Sequence, residues 1–287
     1  MFAFLLFAAC TPPGDDAGSD TADTGEDPLR GTAALATVSG GACPDVTGGD
    51  VTITSNGLER TVKVLLPDSG GEGKGVVFAW YPLGGSAQWL INALDLRAWA
   101  DDNDLVVVVP TASGEDAFEW AFLQSPEAND DLVLFDDLRT CLSEQLTVDL
   151  GRVYSAGFSA GALWTSFLAI HRGDTLAAIL PFSGGADPVI AYQTPAGKFP
   201  ALLPHGGETD LYGGGAVDFE DTQTAFATGL HEDGHFVVMC DHGGGHTIPR
   251  EGVDMLTAWL PAHTFGAPSP FVGDLSAFPD YCSVFEP

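Results

Sequence analysis

Basic side chains are scarce: the 287 residues carry 10 Lys and Arg against 40 Asp and Glu, a formal net charge of −30. That balance excludes nucleic acid and an anionic membrane surface as partners, because both require a basic face. No apolar run is long enough to span a bilayer as a helix; the N-terminal stretch "MFAFLLFAA" stops after nine residues. Cysteines at knuckle spacing are also missing. Besides Cys10 the chain holds Cys43, Cys141, Cys240 and Cys282, no two of them within four residues of each other, which argues against a zinc site.

The sequence that remains is 45% hydrophobic and sufficient for a large core. Residues 1–9 are expected to be an export signal, and Ala8 and Ala9 before Cys10 resemble a bacterial lipoprotein signal in which the cysteine is lipidated. Residues 10–38, rich in acids and without an aromatic, are expected to form a disordered tether, leaving 39–287 as the folded domain. A membrane would be met only through the anchor at Cys10. Four further cysteines in an exported chain imply two disulfides, with all three connectivities open. The expected particle is a monomer.

"DVTITSNG" and "RTVKVLLP" alternate polar and apolar residues around Asn56-Gly57, the pattern of an antiparallel hairpin. Beyond it the runs "GVVFAWYP", "DLVVVVPTA", "RVYSAGFS", "LAAILPFSG", "FPALLPHG" and "HFVVMCDH" are continuously apolar, as parallel strands covered on both faces are. Helical stretches are expected over 87–102, 130–146, 160–172, 218–232 and 251–260. The alternation predicts an α/β sandwich with a mainly parallel central sheet, whose ligand crevice lies at the C-terminal ends of the strands.

Ser159 sits there in "GFSAG". A Gly-x-Ser-x-Gly arises by accident in roughly one chain of this composition in four or five, so position has to decide. It stands between an expected strand and an expected helix, where a tight turn exposes a nucleophile and the Ala160 N–H can donate to an oxyanion. Of seven histidines, His246 in "CDHGGGHTIP" follows the last strand and is the expected base, ahead of His242. Asp210 in "HGGETD" is preferred to Glu208 as the acid, because a shorter carboxylate later in the loop suits an imidazole N–H. In "WYPLGGSAQ" Leu83 can supply a second oxyanion N–H, whereas Pro82 has none to give. "HEDGH", His231 to His235, matches a zinc-protease pattern, but Gly234 breaks the helix that the pattern needs. No metal is expected.

With these blocks in this order, residues 57–260 resemble the secreted α/β-hydrolase esterases that include polyhydroxybutyrate depolymerases and feruloyl or acetylxylan esterases. The resemblance implies an α/β-hydrolase fold, Ser159, Asp210 and His246 as the catalytic residues, no cofactor, and a neutral ester as substrate. Tyr81 and Pro82 depart from the His-Gly pair of many relatives. Tyr81, Trp120 and Trp164 are candidate substrate-wall residues, with core packing as the competing reading for each, and Tyr192 is a further candidate. A serine exopeptidase and a non-catalytic surface lipoprotein are the alternative functions. The base is expected to act as a neutral imidazole, since only that form can accept the serine proton.

Overall fold

The computed structural model describes residues 33–114 and 117–287; Cys10, the expected signal and most of the expected tether lie outside them. Asn56 and Gly57 both adopt positive φ (50° and 79°), as a two-residue hairpin turn demands. They join β1 (Gly49–Ser55) to β2 (Leu58–Leu65), with Ser55 opposite Leu58. The chain continues through β3 (Val76–Trp80), α1 (Ala87–Ala93), α2 (Leu96–Asn103), β4 (Val106–Pro110), α3 (Asp130–Leu146), β5 (Val153–Phe158), α4 (Ala160–Arg172), β6 (Ala178–Phe182) and β7 (Ala201–His205). A short ladder of β8 (Leu211–Tyr212) and β9 (Val217–Asp218) precedes α5 (Phe219–Glu232), β10 (Val237–Asp241), α6 (Gly252–Trp259) and β11 (Cys282–Val284).

Nine strands form one sheet in the order β1-β2-β4-β3-β5-β6-β7-β10-β11. The strands from β4 to β10 in that order are parallel, and the ends are antiparallel. Every residue of β3 to β7 is buried, because helices cover both faces. Successive side chains on a strand point to opposite faces, and β3 makes the division visible. Phe78 and Trp80 meet Phe135 of α3 and Trp164 of α4 at ring-centroid distances of 4.7 and 5.7 Å. Val77 and Ala79 instead border a small apolar gap with Leu90 of α1, Trp99 of α2 and Leu256 of α6.

Three features differ from the sequence expectation. The helix expected over 87–102 is two helices, broken where Asp95 takes φ 46°. Leu94 and Leu96, two residues apart, would lie about 200° apart on one continuous helix, and the break lets both be buried. The folded body begins ahead of Ser39: the carbonyls of Ala33 and Ala36 already accept hydrogen bonds from Arg139 and Thr140 of α3. The third is β11, a three-residue edge strand for which the sequence holds no periodic signal.

The disulfides are Cys43–Cys141 and Cys240–Cys282. The first ties the N-terminal segment to α3, and the second fastens β11 to β10. Closing loops with sequence separations of 98 and 42 residues stabilises the fold by about 4 kcal/mol each in the chain-entropy picture. On α3, buried Asp131 accepts from Arg60 of β2 at 2.6 Å and from the Ala121 N–H at 2.8 Å. This pins the loop after β4, which reaches the C-terminal ends of the strands. Among the described residues no helix is long and apolar enough to cross a membrane.

Candidate active site

Ser159 occupies the turn between β5 and α4 with φ 57° and ψ −119°, a backbone state that costs an ordinary residue on the order of 1–3 kcal/mol. The surroundings enforce it. The Ser159 N–H donates to the Phe182 carbonyl of β6 at 3.0 Å, and the Ser159 carbonyl accepts from Ala162 and Leu163 in the first turn of α4. The flanking glycines are steric necessities: a Cβ on Gly157 would lie 2.3 Å from the Gly161 carbonyl oxygen, and one on Gly161 would lie 2.2 Å from that of Trp80.

Two further loops bring the partners. A Cβ on Gly206 would sit 2.0 Å from the Gly245 carbonyl oxygen, so the loops after β7 and β10 touch backbone to backbone. The Gly245 N–H donates to the Gly206 carbonyl at 3.0 Å. Across this contact His246 Nδ1 meets Asp210 Oδ1 at 2.7 Å, and His246 Nε2 meets Ser159 Oγ at 2.9 Å. The imidazole lies between two phenyl rings, Phe158 at 5.0 Å and Phe219 at 4.6 Å, both stacked. Packing on both faces leaves the ring little freedom except in the plane that holds its two hydrogen bonds.

Asp210 is fully buried. Burial by itself would raise its pKa; hydrogen bonds from His246, from the Gly206 N–H and from the Ser183 hydroxyl outweigh it and hold the carboxyl below its ordinary value. Ser183 Oγ and Gly206 N both donate to Oδ2, at 2.7 and 2.8 Å, leaving Oδ1 to the histidine. An ionised carboxylate so oriented keeps the imidazole proton on Nδ1 and its lone pair on Nε2, toward the serine.

Leu83 and Ala160 both border the small cavity in front of Ser159. Among the described residues neither backbone N–H has a protein acceptor, an arrangement suited to an oxygen that acquires negative charge. The neighbouring Gly84 N–H is taken by Glu119 Oε1 at 3.3 Å.

The other candidates lie elsewhere. Glu208 is exposed on the turn before Asp210. His242 Nδ1 accepts from the Gly244 N–H in its own turn. His231 ends α5 against Phe285, while His235 lies beyond Gly234 with Nδ1 at the Phe199 carbonyl, so the two share no helix face.

Tyr81, Trp120 and Trp164 do not line the opening. Their apolar rings are worth more in the core: Trp120 Nε1 donates to the Tyr81 carbonyl, the Tyr81 hydroxyl accepts from the Ala112 N–H, and Trp164 packs on Trp80 and Phe167. Tyr192 is bonded to Asp233, away from the serine. The walls are made instead by Phe118, Leu163, Tyr212, Val217 and Phe219 on one side, and by Trp89, Phe158 and Ile248 on the other. Phe158 adjoins Ser159, and Phe219 opens the helix after the Asp210 loop; those neighbourhoods were the available signal for them. Nothing local marks Ser183.

No family model matches the chain. Feruloyl esterase D of Neurospora crassa is 27% identical over 282 residues, covering 83% of this chain and 91% of that protein. Among solved structures, that of native sOPH superimposes with a TM-score of 0.67 at 18% identity, covering 85% of this chain and 96% of the other. An acetyl xylan esterase from Aspergillus awamori gives a TM-score of 0.56 at 13% identity, covering 73% and 98%. The strand order, the three loops and these similarities together establish that the chain has the α/β-hydrolase fold and resembles the esterases built on it.

Proposed function

We propose that the chain is an exported serine carboxylic ester hydrolase, with Ser159 as nucleophile, His246 as general base and acid, and Asp210 as the orienting carboxylate. The observation that carries this reading is the unbroken line from buried Asp210 through His246 to Ser159, ending beside two N–H groups that have no acceptor among the described residues. His246 Nε2 takes the Ser159 proton as Oγ bonds to the ester carbon. The carbonyl electron pair moves onto oxygen, where Leu83 and Ala160 donate to it. Collapse breaks the bond to the alcohol, which leaves with the proton from Nε2. Water, deprotonated by the same nitrogen, then releases the acid and frees Ser159. None of these steps calls on a cofactor.

The substrate is a neutral ester, a feruloyl or acetyl ester on polysaccharide or a short-chain polyester, a class consistent with the name of the Neurospora relative and with the net charge of −30. The two disulfides support export, since cytosolic thiols stay reduced. Lipidation at Cys10 and a monomeric state complete the proposal. Cys10→Ser is expected to move the protein from the membrane fraction to the soluble fraction.

The test is a panel of p-nitrophenyl esters, methyl ferulate and a polyester film, assayed with wild type and Ser159→Ala. Cleavage of at least one by wild type, abolished in the variant, is expected. No cleavage at all would end the esterase reading, and equal cleavage by the variant would end the assignment of the nucleophile.

A further inference from the structure

The space around Ser159 is divided unequally, and the stereochemistry of acyl transfer says which part of an ester goes where. In the tetrahedral intermediate the ester carbon carries four groups. One is Oγ, and the oxyanion lies at the Leu83 and Ala160 N–H groups. The alcohol oxygen must face His246 Nε2 to receive its proton, and the acyl chain takes the direction left over.

Two cavities flank the Ser159–His246 hydrogen bond, one bordered by the serine and the other by the histidine. One, bordered by Ser159 and both oxyanion residues together with Phe118, Leu163, Tyr212, Val217 and Phe219, does not include His246 in its lining and holds only ≈ 10 Å³. The other runs from His246 past Thr247, Ile248 and Pro249 to Trp89 and measures ≈ 490 Å³. The phenyl rings stacked on His246 separate them, Phe219 on the narrow side and Phe158 on the wide one.

We infer that the enzyme selects esters with a very small acyl group on a bulky alcohol, and that Phe118, Leu163 and Val217 set the limit on the acid. The narrow slot has room for about one water molecule, which is the size of a methyl group. An acetyl group fits. A feruloyl group, an aromatic ring on a propenoyl arm, does not fit while Phe118 and Leu163 stay in place. On the wide side Trp89, 43% exposed on α1, offers an open ring face on which a sugar or other cyclic alcohol can lie. This inference rests on the esterase reading above.

The experiment holds the leaving group constant and varies only the acid: p-nitrophenyl acetate, butyrate, hexanoate and ferulate, with wild type, Ser159→Ala, Leu163→Ala and Phe118→Ala. Wild-type kcat/KM is expected to fall about tenfold from acetate to hexanoate and about 100-fold from acetate to ferulate. Leu163→Ala or Phe118→Ala is expected to raise the hexanoate-to-acetate ratio about tenfold. Phe118 stands on a partly exposed wall, which keeps the test decisive even where Leu163→Ala lowers the melting temperature. Ser159-dependent cleavage of hexanoate or ferulate at the acetate rate would overturn the acyl limit and leave the esterase reading standing. Cleavage of none of the four would overturn both.

Discussion

Among the described residues two Ser-His pairs have nearly equal geometry. His246 places Nε2 2.9 Å from Ser159 Oγ and Nδ1 2.7 Å from Asp210. His263 places Nε2 2.8 Å from Ser269 Oγ and Nδ1 2.7 Å from the Trp259 carbonyl. Each imidazole also lies among aromatic rings. Hydrogen-bond distance therefore does not by itself identify a catalytic pair. The difference lies in the third partner and in access. A carboxylate can stabilise an imidazolium and a neutral carbonyl much less so; His246 is half-buried, whereas His263 is buried. Burial pushes His263 down to about 4, which keeps it neutral and structural. Ser159 also has the strained turn and, among the described residues, two neighbouring N–H groups without a protein acceptor.

The comparison is broken most severely at the serines. Ser159→Ala is expected to lower kcat/KM by about 10⁴-fold or more, and Ser269→Ala by less than about twofold, in the same ester assay. Comparable losses in both would make Ser269 part of the catalytic machinery and contradict a purely structural second pair. Next in size is Asp210→Asn, which makes the His246 pair resemble the His263 pair by leaving a neutral acceptor at Nδ1. A loss of about 10³-fold or more in kcat with a retained melting temperature is expected; activity near the wild-type level would show that the carboxylate is dispensable.

A smaller effect comes from pH. His263 has its pKa lowered on folding, so the native state disfavours the protonated form. The stability it contributes is complete above 6.5, is lost as pH falls toward its folded value of about 4, and changes no further below that. The shift corresponds to about 3 kcal/mol. Urea unfolding of wild type and His263→Gln at pH 7 and pH 4.5 measures it: the wild type should lose more stability between the two than the variant, and equal losses would remove His263 as a source of acid sensitivity. Smallest is Gly161→Ala, whose Cβ collides with the Trp80 carbonyl. A fall in stability of about 2 kcal/mol is expected from thermal melting, with no counterpart near Ser269.

The two pairs also mark how far the sequence could be read. The juxtaposition of Ser159, Asp210 and His246 was legible because each follows a continuous apolar run, and in an α/β sheet those runs end at the crevice. His263 and Ser269 gave no competing signal, lying beyond the last such run. The hairpin at Asn56-Gly57 was legible from its turn chemistry. The break at Asp95 was not, since the phase of buried leucines is set by the sheet beneath them. β11 escaped because three residues hold no period, and its place depends on a disulfide to a strand 42 residues earlier. Tyr81, Trp120 and Trp164 were candidates for the opening because a core aromatic and a lining aromatic look alike in sequence. The slot of Phe118, Leu163, Val217 and Phe219 comes from three distant segments that only the folded chain brings together.

The most direct measurement of whether Ser159 alone is activated is covalent labelling of the folded protein with phenylmethanesulfonyl fluoride, followed by intact mass and peptide mapping. The expected result is one sulfonyl group per chain on Ser159, fluoride released, none on Ser269, and no labelling in Ser159→Ala. Labelling at Ser269, or an unchanged adduct in Ser159→Ala, would contradict the assignment.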